Sequence, residues 1–188
     1  MCQICFGADS EDGNPIIICD GCDVSVHQFC YGIPEIPKGP WLCKPCSYGH
    51  CKPLCYLCGN DIIGAFTSMK SKEIIWAHNT CALWIPECIF EDLDYIKDIK
   101  IVKSNTQRRM HKCSICHRAK HGLSLKCCAD DCNKWMHVSC AFSSNYPMIC
   151  YNVSSEEDII RKVILENVIF HKNMGAAKNF YLLSKSFL

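Results

Sequence analysis

The chain has 188 residues, 19 of them cysteine, and 20 Lys and Arg against 19 Asp and Glu give a formal net charge of +1. Cysteine at that level sets aside an ordinary apolar-core domain and leaves two scaffolds, disulfides or metal. The opening "MCQICFGADSEDG" has no basic start and no apolar run, so no secretory leader is expected, and no stretch approaches the length of a membrane span.

The CxxC pairs followed by His-x-x-Cys decide between the two scaffolds, because tetrahedral zinc requires such spacing and disulfides do not. Zinc also corrects the charge. An ion held by four thiolates leaves a net −2, and one held by three thiolates and a neutral imidazole leaves −1. The remaining charge is uneven. Residues 1–46 hold six acids and two bases, whereas residues 100–128 hold eight bases, three histidines and no acid. One half of the chain is acidic and the other basic.

In chain order, Cys2, Cys5, Cys19, Cys22, His27, Cys30, Cys43 and Cys46 supply eight donors, enough for two zinc ions. Within them "PIIIC" (15–19) predicts a short strand after the turn "EDGNP". Spacing leaves two partitions of "CDGCDVSVHQFC" open. Cys19, Cys22, His27 and Cys30 close one site by themselves, or they are shared between two. "SYGHCKP" (47–53) reads as a linker. Cys55, Cys58, His78 and Cys81 then make one further site, with a strand at "EIIWAH" (73–78) delivering His78 and a short helix in "TCALWIP" (80–86) that must stop near Pro86. Residues 91–112 read as a mostly polar connection.

A third group, Cys113, Cys116, Cys127, Cys132, His137 and Cys140, repeats the order of the first, followed only by His171. Four or five zinc ions are expected. Cys51, Cys88, Cys128 and Cys150 are surplus and read as small buried hydrophobes, with Cys128 or Cys150 also able to complete the last site. "SSEEDIIRKVILENVIF" fits a serine-capped helix or a strand at "KVILENVIF", and "AAKNFYLLSKSFL" a terminal helix or a frayed end. Segments this short bury little core, so metal must supply folding free energy, on the order of 10 kcal/mol per structural zinc. Trp41 and Trp84 are placed to fill the space beside the sites.

There is no H-E-x-x-H, and no H-x-E ahead of P-C-x-x-C. Full four-ligand sets are closed, structural sites. A binding module is expected, not an enzyme.

"CQICFGADSEDGNPIIICDGCDVSVHQFCYGIPEIPKGPWLCKPC" resembles a PHD finger in its order of four cysteines, one histidine and three cysteines, with Trp41 two residues before the seventh ligand. "CYLCG…GAF…WAHNTCALWIPE" resembles a zinc knuckle, and "CSICHRAKHGLSLKCCADDCNKWMHVSCAF" an extended second finger. Together they resemble the PHD–knuckle–PHD cassette of the Jade and bromodomain–PHD-finger scaffold proteins, subunits of MYST-type histone acetyltransferase complexes.

The resemblance implies a small zinc-stabilised α+β fold with little regular secondary structure. Tandem cross-braced PHD fingers at 1–48 and 113–174 are joined by a zinc knuckle at 53–90 and a basic connection at 91–112, with a tail at 175–188. It implies that Cys2, Cys5, His27 and Cys30 share one ion and Cys19, Cys22, Cys43 and Cys46 another. The chain departs from the pattern at its end. A Cys-x-x-His pair should follow Cys140, but "NVIFHKNMG" offers only His171, with Met174 where a further ligand would stand, so Cys127 and Cys132 have one expected partner.

The resemblance also implies a nuclear protein whose first finger binds the N-terminus of histone H3 by strand addition along Ile16, Ile17 and Ile18. Carbonyls around Pro37, Lys38 and Gly39 would receive the α-ammonium, Trp41 would wall off the first side chain, and Asp9, Glu11, Asp12, Asp20 and Asp23 would face the tail's cations. Ser25 stands where trimethyl-lysine readers carry tryptophan, so an unmodified lysine is the expected ligand. Lys103, Arg108, Arg109, Lys112, Arg118, Lys120 and Lys126 would contact DNA phosphates without reading sequence. Two other readings use the same residues: a RING-like ubiquitin ligase, which shares the cross-brace, and a zinc protein that binds nucleic acid alone.

Overall fold

A computed structural model describes residues 1–10, 12–62, 64–92, 94–102, 107–128 and 131–146, together with the backbone of strands at 148–152 and 165–169. Three β-branched residues form β1 (Ile16–Ile18), which pairs antiparallel with β2 (Ser25–His27) in the register Ile17↔Val26. A one-turn helix, α1 (Gln28–Tyr31), follows directly and ends on Gly32 in the left-handed conformation (φ 67°). A second one-turn helix, α2 (Lys44–Ser47), starts with Pro45 in its first turn, where a missing N–H costs nothing.

The central unit opens with β3 (Phe66–Met69) and β4 (Ile75–His78), then α3 (Asn79–Trp84), which stops before Pro86 as its sequence requires. The segment expected to be a polar connection is instead structured. β5 (Cys88–Asp92) and β6 (Lys97–Ile101) form a hairpin that joins β3 in a four-stranded sheet of order β4-β3-β6-β5. The reason is period two in "KDIKI". Ile99 turns fully inward and Ile101 packs on the core beside it, while charges pair across the sheet: Glu91 with Lys70 and Lys100, and, beside the β5–β6 turn, Asp92 with Lys97. Counting charges hid the alternation.

After α4 (Gln107–Met110), β7 (Ser124–Lys126) pairs with β8 (Trp135–His137), and α5 (Val138–Ser143) follows. β9 (Met148–Asn152) pairs with β10 (Leu165–Ile169), so "LENVI" is a strand, although β-propensity and helix caps compete in that segment. The expected terminal helix, Glu11, Lys103, His171 and Met174 lie outside the described residues.

One small unit occurs three times. A Cys-x-x-Cys turn is closed by Phe6 N–H to Cys2 O, Gly59 N–H to Cys55 O and His117 N–H to Cys113 O, at 2.9, 2.7 and 2.9 Å. The residue after the second cysteine is left-handed each time: Phe6 φ 61°, Gly59 φ 68°, His117 φ 59°. A hairpin then ends on a histidine whose extended backbone caps a short helix, and that helix carries a cysteine three residues later. The repeat read between the first and third ligand groups therefore extends to the middle one.

The three copies are fused. The central unit and the C-terminal finger share one buried cluster, including Leu57, Trp76, Trp84, Ile99, Leu125 and Met136, while the first finger builds another around Val24, Val26 and Tyr31 that takes in Ala65 of the central unit. Leu83 packs against both clusters. Trp84, buried as expected, meets Phe142 edge-on at 5.8 Å, and Phe6 of the first finger stacks on the same Phe142 at 4.6 Å. Gly122 is glycine because a Cβ there would lie 2.4 Å from the carbonyl carbon of Cys58.

Candidate metal centres and peptide-binding edge

Four clusters each bring four ligand atoms within 4.8 Å of one another: Cys2, Cys5, His27 and Cys30; Cys19, Cys22, Cys43 and Cys46; Cys55, Cys58, His78 and Cys81; Cys113, Cys116, His137 and Cys140. The run "CDGCDVSVHQFC" is thus divided between two sites, and the self-contained arrangement is excluded. The hairpin explains why. Cys19 precedes the β1–β2 turn and His27 ends β2, so the two lie at opposite ends of a two-stranded ribbon.

Each histidine turns Nδ1 toward its thiols, at 3.2 Å from Cys5 Sγ for His27, 3.5 Å from Cys58 Sγ for His78 and 3.4 Å from Cys116 Sγ for His137. Nε2 is then the protonated nitrogen. It donates to the carbonyl of Asp9 at 2.6 Å in the first site and to that of Ile62 at 2.9 Å in the central one. Backbone N–H groups point at the sulfurs: His27 and Ile4 at Cys2 Sγ, Cys43 and Gly21 at Cys19 Sγ, His78 at Cys55 Sγ. Those donors favour thiolate. Crowding works against full ionisation: Cys2 and Cys5 push the Cys30 thiol far up, Cys113 does the same to Cys140, and burial with Cys55 raises Cys81. Sulfurs arranged for thiolate, yet unable to ionise together, fit a dication. Sets of three sulfurs and one nitrogen, or four sulfurs, fit tetrahedral zinc, and the four centres are structural zinc sites.

Cys127 and Cys132 occupy the β7–β8 turn where the first finger carries Cys19 and Cys22. The bond from Cys127 N–H to Lys134 O (2.8 Å) repeats that from Cys19 N–H to Val24 O (2.9 Å). His171 lies beyond the described residues, and among those no fifth cluster forms. Of the surplus cysteines, Cys88 is a buried hydrophobe whose thiol burial pushes up to about 12, but Cys51 and Cys128 are exposed, contrary to expectation. Both lie outside the strands and helices. Cys150 falls in β9, where only the backbone is described.

The first finger also presents a strand edge. β1 has β2 on one side only, and Ile18 is exposed. Asp9, Asp12, Asp20 and Asp23 are exposed in the segments before and after β1, and Pro37, Lys38 and Gly39 are exposed too. Asp20 has a structural task too: its Oδ2 accepts from Trp41 N–H at 2.7 Å while its own N–H donates to Trp41 O at 2.9 Å. That two-way clip holds Trp41 beside the β1–β2 turn, half-buried and edge-on to Tyr31 at 5.7 Å. Ser25 donates its hydroxyl to Met1 O at 2.6 Å.

The basic residues divide. Lys112, Arg118, Lys120 and Lys126 are exposed. Arg109 is half-buried with its guanidinium over Tyr56, 4.9 Å from the ring centre. Arg108 must be removed from the set of free cations. Its Nε donates to Glu87 Oε1 at 2.7 Å, with side-chain exposures of 20% and 10%, and its carbonyl accepts from Ser124 Oγ. Sequence spacing gave no hint of this partner, 21 residues away. Aromatic rings, absent from the basic segment itself, are supplied by distant residues: Tyr56 under Arg109, and Trp135 stacked on His111 at 3.7 Å.

Lys44 was unremarkable in sequence, yet its ammonium joins two units. Nζ donates to Tyr31 O, Tyr95 O and Ile96 O at 3.1, 2.8 and 2.7 Å and lies 4.4 Å from the centre of the Tyr31 ring. Burial, followed by the nearby Lys97, pulls this amine down to about 8. Tyr31 adds a bond from its hydroxyl to Phe66 O at 2.8 Å, and at Gly32 a Cβ would meet the Tyr95 carbonyl carbon at 2.3 Å.

Residues 53–171 match the PHD-zinc-finger-like domain family and residues 13–47 the PHD-finger family. The chain belongs to the PHD-finger family. Over 148 residues it is 41% identical to the PHD finger protein rhinoceros of Drosophila melanogaster, and over 149 residues 37% identical to Protein Jade-1 of Bos taurus, each match covering 79% of this chain. It spans 4% and 28% of the length of those two relatives. The zebrafish PHF14 PZP crystal structure superposes with a TM-score of 0.68 at 31% identity, covering 92% of this chain and 86% of that one.

Proposed function

We propose that the chain is a non-catalytic nuclear reader whose finger 1 binds the unmodified N-terminal tail of histone H3, with finger 2 resting on DNA. The observation that carries this reading is the outer edge of β1, exposed at Ile18, with four exposed carboxylates in the segments that flank it in sequence. An extended peptide gains main-chain bonds along such an edge, and its cations meet the acids. The free α-amine would be received by carbonyls near Pro37 to Gly39, beside the clipped Trp41. Ser25 favours an unmethylated lysine, since a hydroxyl committed to Met1 O offers no aromatic face. Its likeness to the Jade and bromodomain–PHD-finger scaffold proteins supports a place in a MYST-type acetyltransferase complex.

Calorimetry with three H3 peptides tests the reading. The unmodified tail binds; acetylating its α-amine or trimethylating its first lysine weakens it at least tenfold. Equal affinity for all three would refute the pocket. A catalytic alternative is checked in parallel: incubated with a charged ubiquitin-conjugating enzyme, the chain is expected not to discharge it.

DNA contact is assigned to Lys112, Arg118, Lys120 and Lys126, with Lys103 included from sequence and Arg109 held ready on Tyr56. Replacing Lys112, Lys120 and Lys126 by alanine should weaken duplex binding and flatten its salt dependence without changing stability. Arg108→Ala should do the reverse. It strands Glu87 in a largely buried position and costs about 3 kcal/mol in chemical denaturation, close to the loss expected on breaking a buried pair. Equal stability of Arg108→Ala and the wild type would return Arg108 to the DNA-contacting set.

A further inference from the structure

One position on the outer edge of β1, the Ile16 N–H, already has a partner. Gln28 N–H bonds to Pro15 O and Cys19 N–H to Val24 O, so the hydrogen-bonded pairs of the ribbon fall at Pro15, Ile17 and Cys19. Ile16 and Ile18 consequently direct their N–H and C=O groups away from β2, toward any strand that would be added. Ile16 N–H donates at 3.1 Å to the hydroxyl of Ser10. Ser10 is exposed, and the loop carrying it is anchored by the bond from His27 Nε2 to Asp9 O, so zinc ligation in finger 1 also fixes where that hydroxyl sits.

We propose that Ser10 is a placeholder that stands in for the first carbonyl of a docked strand and so sets the register and threshold of tail binding. This rests on the reading of finger 1 as a strand-adding site. The hydroxyl oxygen accepts the one outward N–H that a peptide carbonyl would otherwise take at Ile16. Ile18, which has no such cover among the described residues, is the position where pairing starts, and extension to Ile16 proceeds by exchange of the Ser10 bond for a bond to the peptide. Exchange of one neutral hydrogen bond for another lowers affinity by roughly three- to tenfold relative to an uncovered edge.

The test uses the full chain with Ser10→Ala and Ser10→Thr. In Ser10→Ala, calorimetry should show three- to tenfold tighter binding of the unmodified H3 tail peptide, with a small drop in thermal stability from loss of the same bond. Amide exchange at Ile16 in the free protein should accelerate while Ile18 stays as it was. Ser10→Thr keeps a hydroxyl and should behave as wild type in both. Unchanged or weaker binding by Ser10→Ala, or an unaltered Ile16 amide, would overturn the role of Ser10 alone. A wild-type chain that ignores the peptide would overturn the reading of finger 1, and the strand exchange with it.

Discussion

Stripping zinc from the chain with a strong chelator under reducing conditions unfolds all three units together. Free energy on the order of 10 kcal/mol per structural ion is supplied by metal, more than the apolar core of any one unit can replace. The four clusters are also not independent. Finger 2 and the knuckle share one core, and Phe6 of finger 1 stacks on Phe142 of finger 2. At least four equivalents of zinc should be released, and the fluorescence of Trp76 and Trp84, both buried beside the knuckle, should report exposure in the same transition as far-ultraviolet circular dichroism. Separate transitions for the two probes would mean that the units fold alone. A chain that kept its tryptophans buried without metal would remove zinc from the account of stability.

The second large effect is expected at Lys44. Lys44→Met keeps the length of the stem but takes away the three donors that hold Tyr31 O, Tyr95 O and Ile96 O. Ile96 O retains Thr67 Oγ1 at 3.1 Å and the exposed Tyr95 O can turn to water, so the loss is that of the charged hydrogen bonds, about 1.5–3 kcal/mol. Lys44 sits in finger 1 and its acceptors Tyr95 and Ile96 in the β5–β6 turn, so the loss falls on the joint between finger 1 and the knuckle. Ile96 is strained there, a β-branched residue at φ 45°, which a free turn would relax. Urea denaturation of Lys44→Met should show reduced stability with zinc content unchanged. On a nucleosome, where the proposed tail and DNA sites would engage together, a loosened joint should lower effective concentration and weaken binding more than it weakens the isolated tail peptide. Equal losses on peptide and nucleosome would show that the joint plays no part in placing the two surfaces.

Lys44 also marks how much could be read from the residues alone. Ligand groups, the strand at Ile16–Ile18, the helix ending before Pro86 and the position of Trp84 follow from local spacing and local chemistry, and the sequence carries both. What it hides is every contact between units. Lys44 and Arg108 look like ordinary surface cations, and only the fold reveals that their partners lie about fifty and twenty residues away. "KDIKI" reads as linker because its charges outnumber its apolar residues, yet the inward pair Ile99 and Ile101 and cross-strand ion pairs make it a strand. The division of Cys19, Cys22, His27 and Cys30 between two ions was equally beyond spacing. It came first from resemblance, and the physical reason is the ribbon that separates Cys19 from His27. Ser10 shows the opposite lesson, since a hydroxyl six residues before a strand matters only because the loop folds back on the edge.

The most direct test of the central proposal is a site-resolved titration of the isotope-labelled, zinc-loaded chain with the unmodified H3 tail peptide, followed by amide chemical shift and hydrogen exchange. The account predicts that the largest shifts and new protection fall on Ile16 and Ile18 of β1 and on Lys38, Gly39 and Trp41, with the knuckle sheet undisturbed. Shifts confined to finger 2 or the knuckle, with β1 unchanged at saturation, would contradict it.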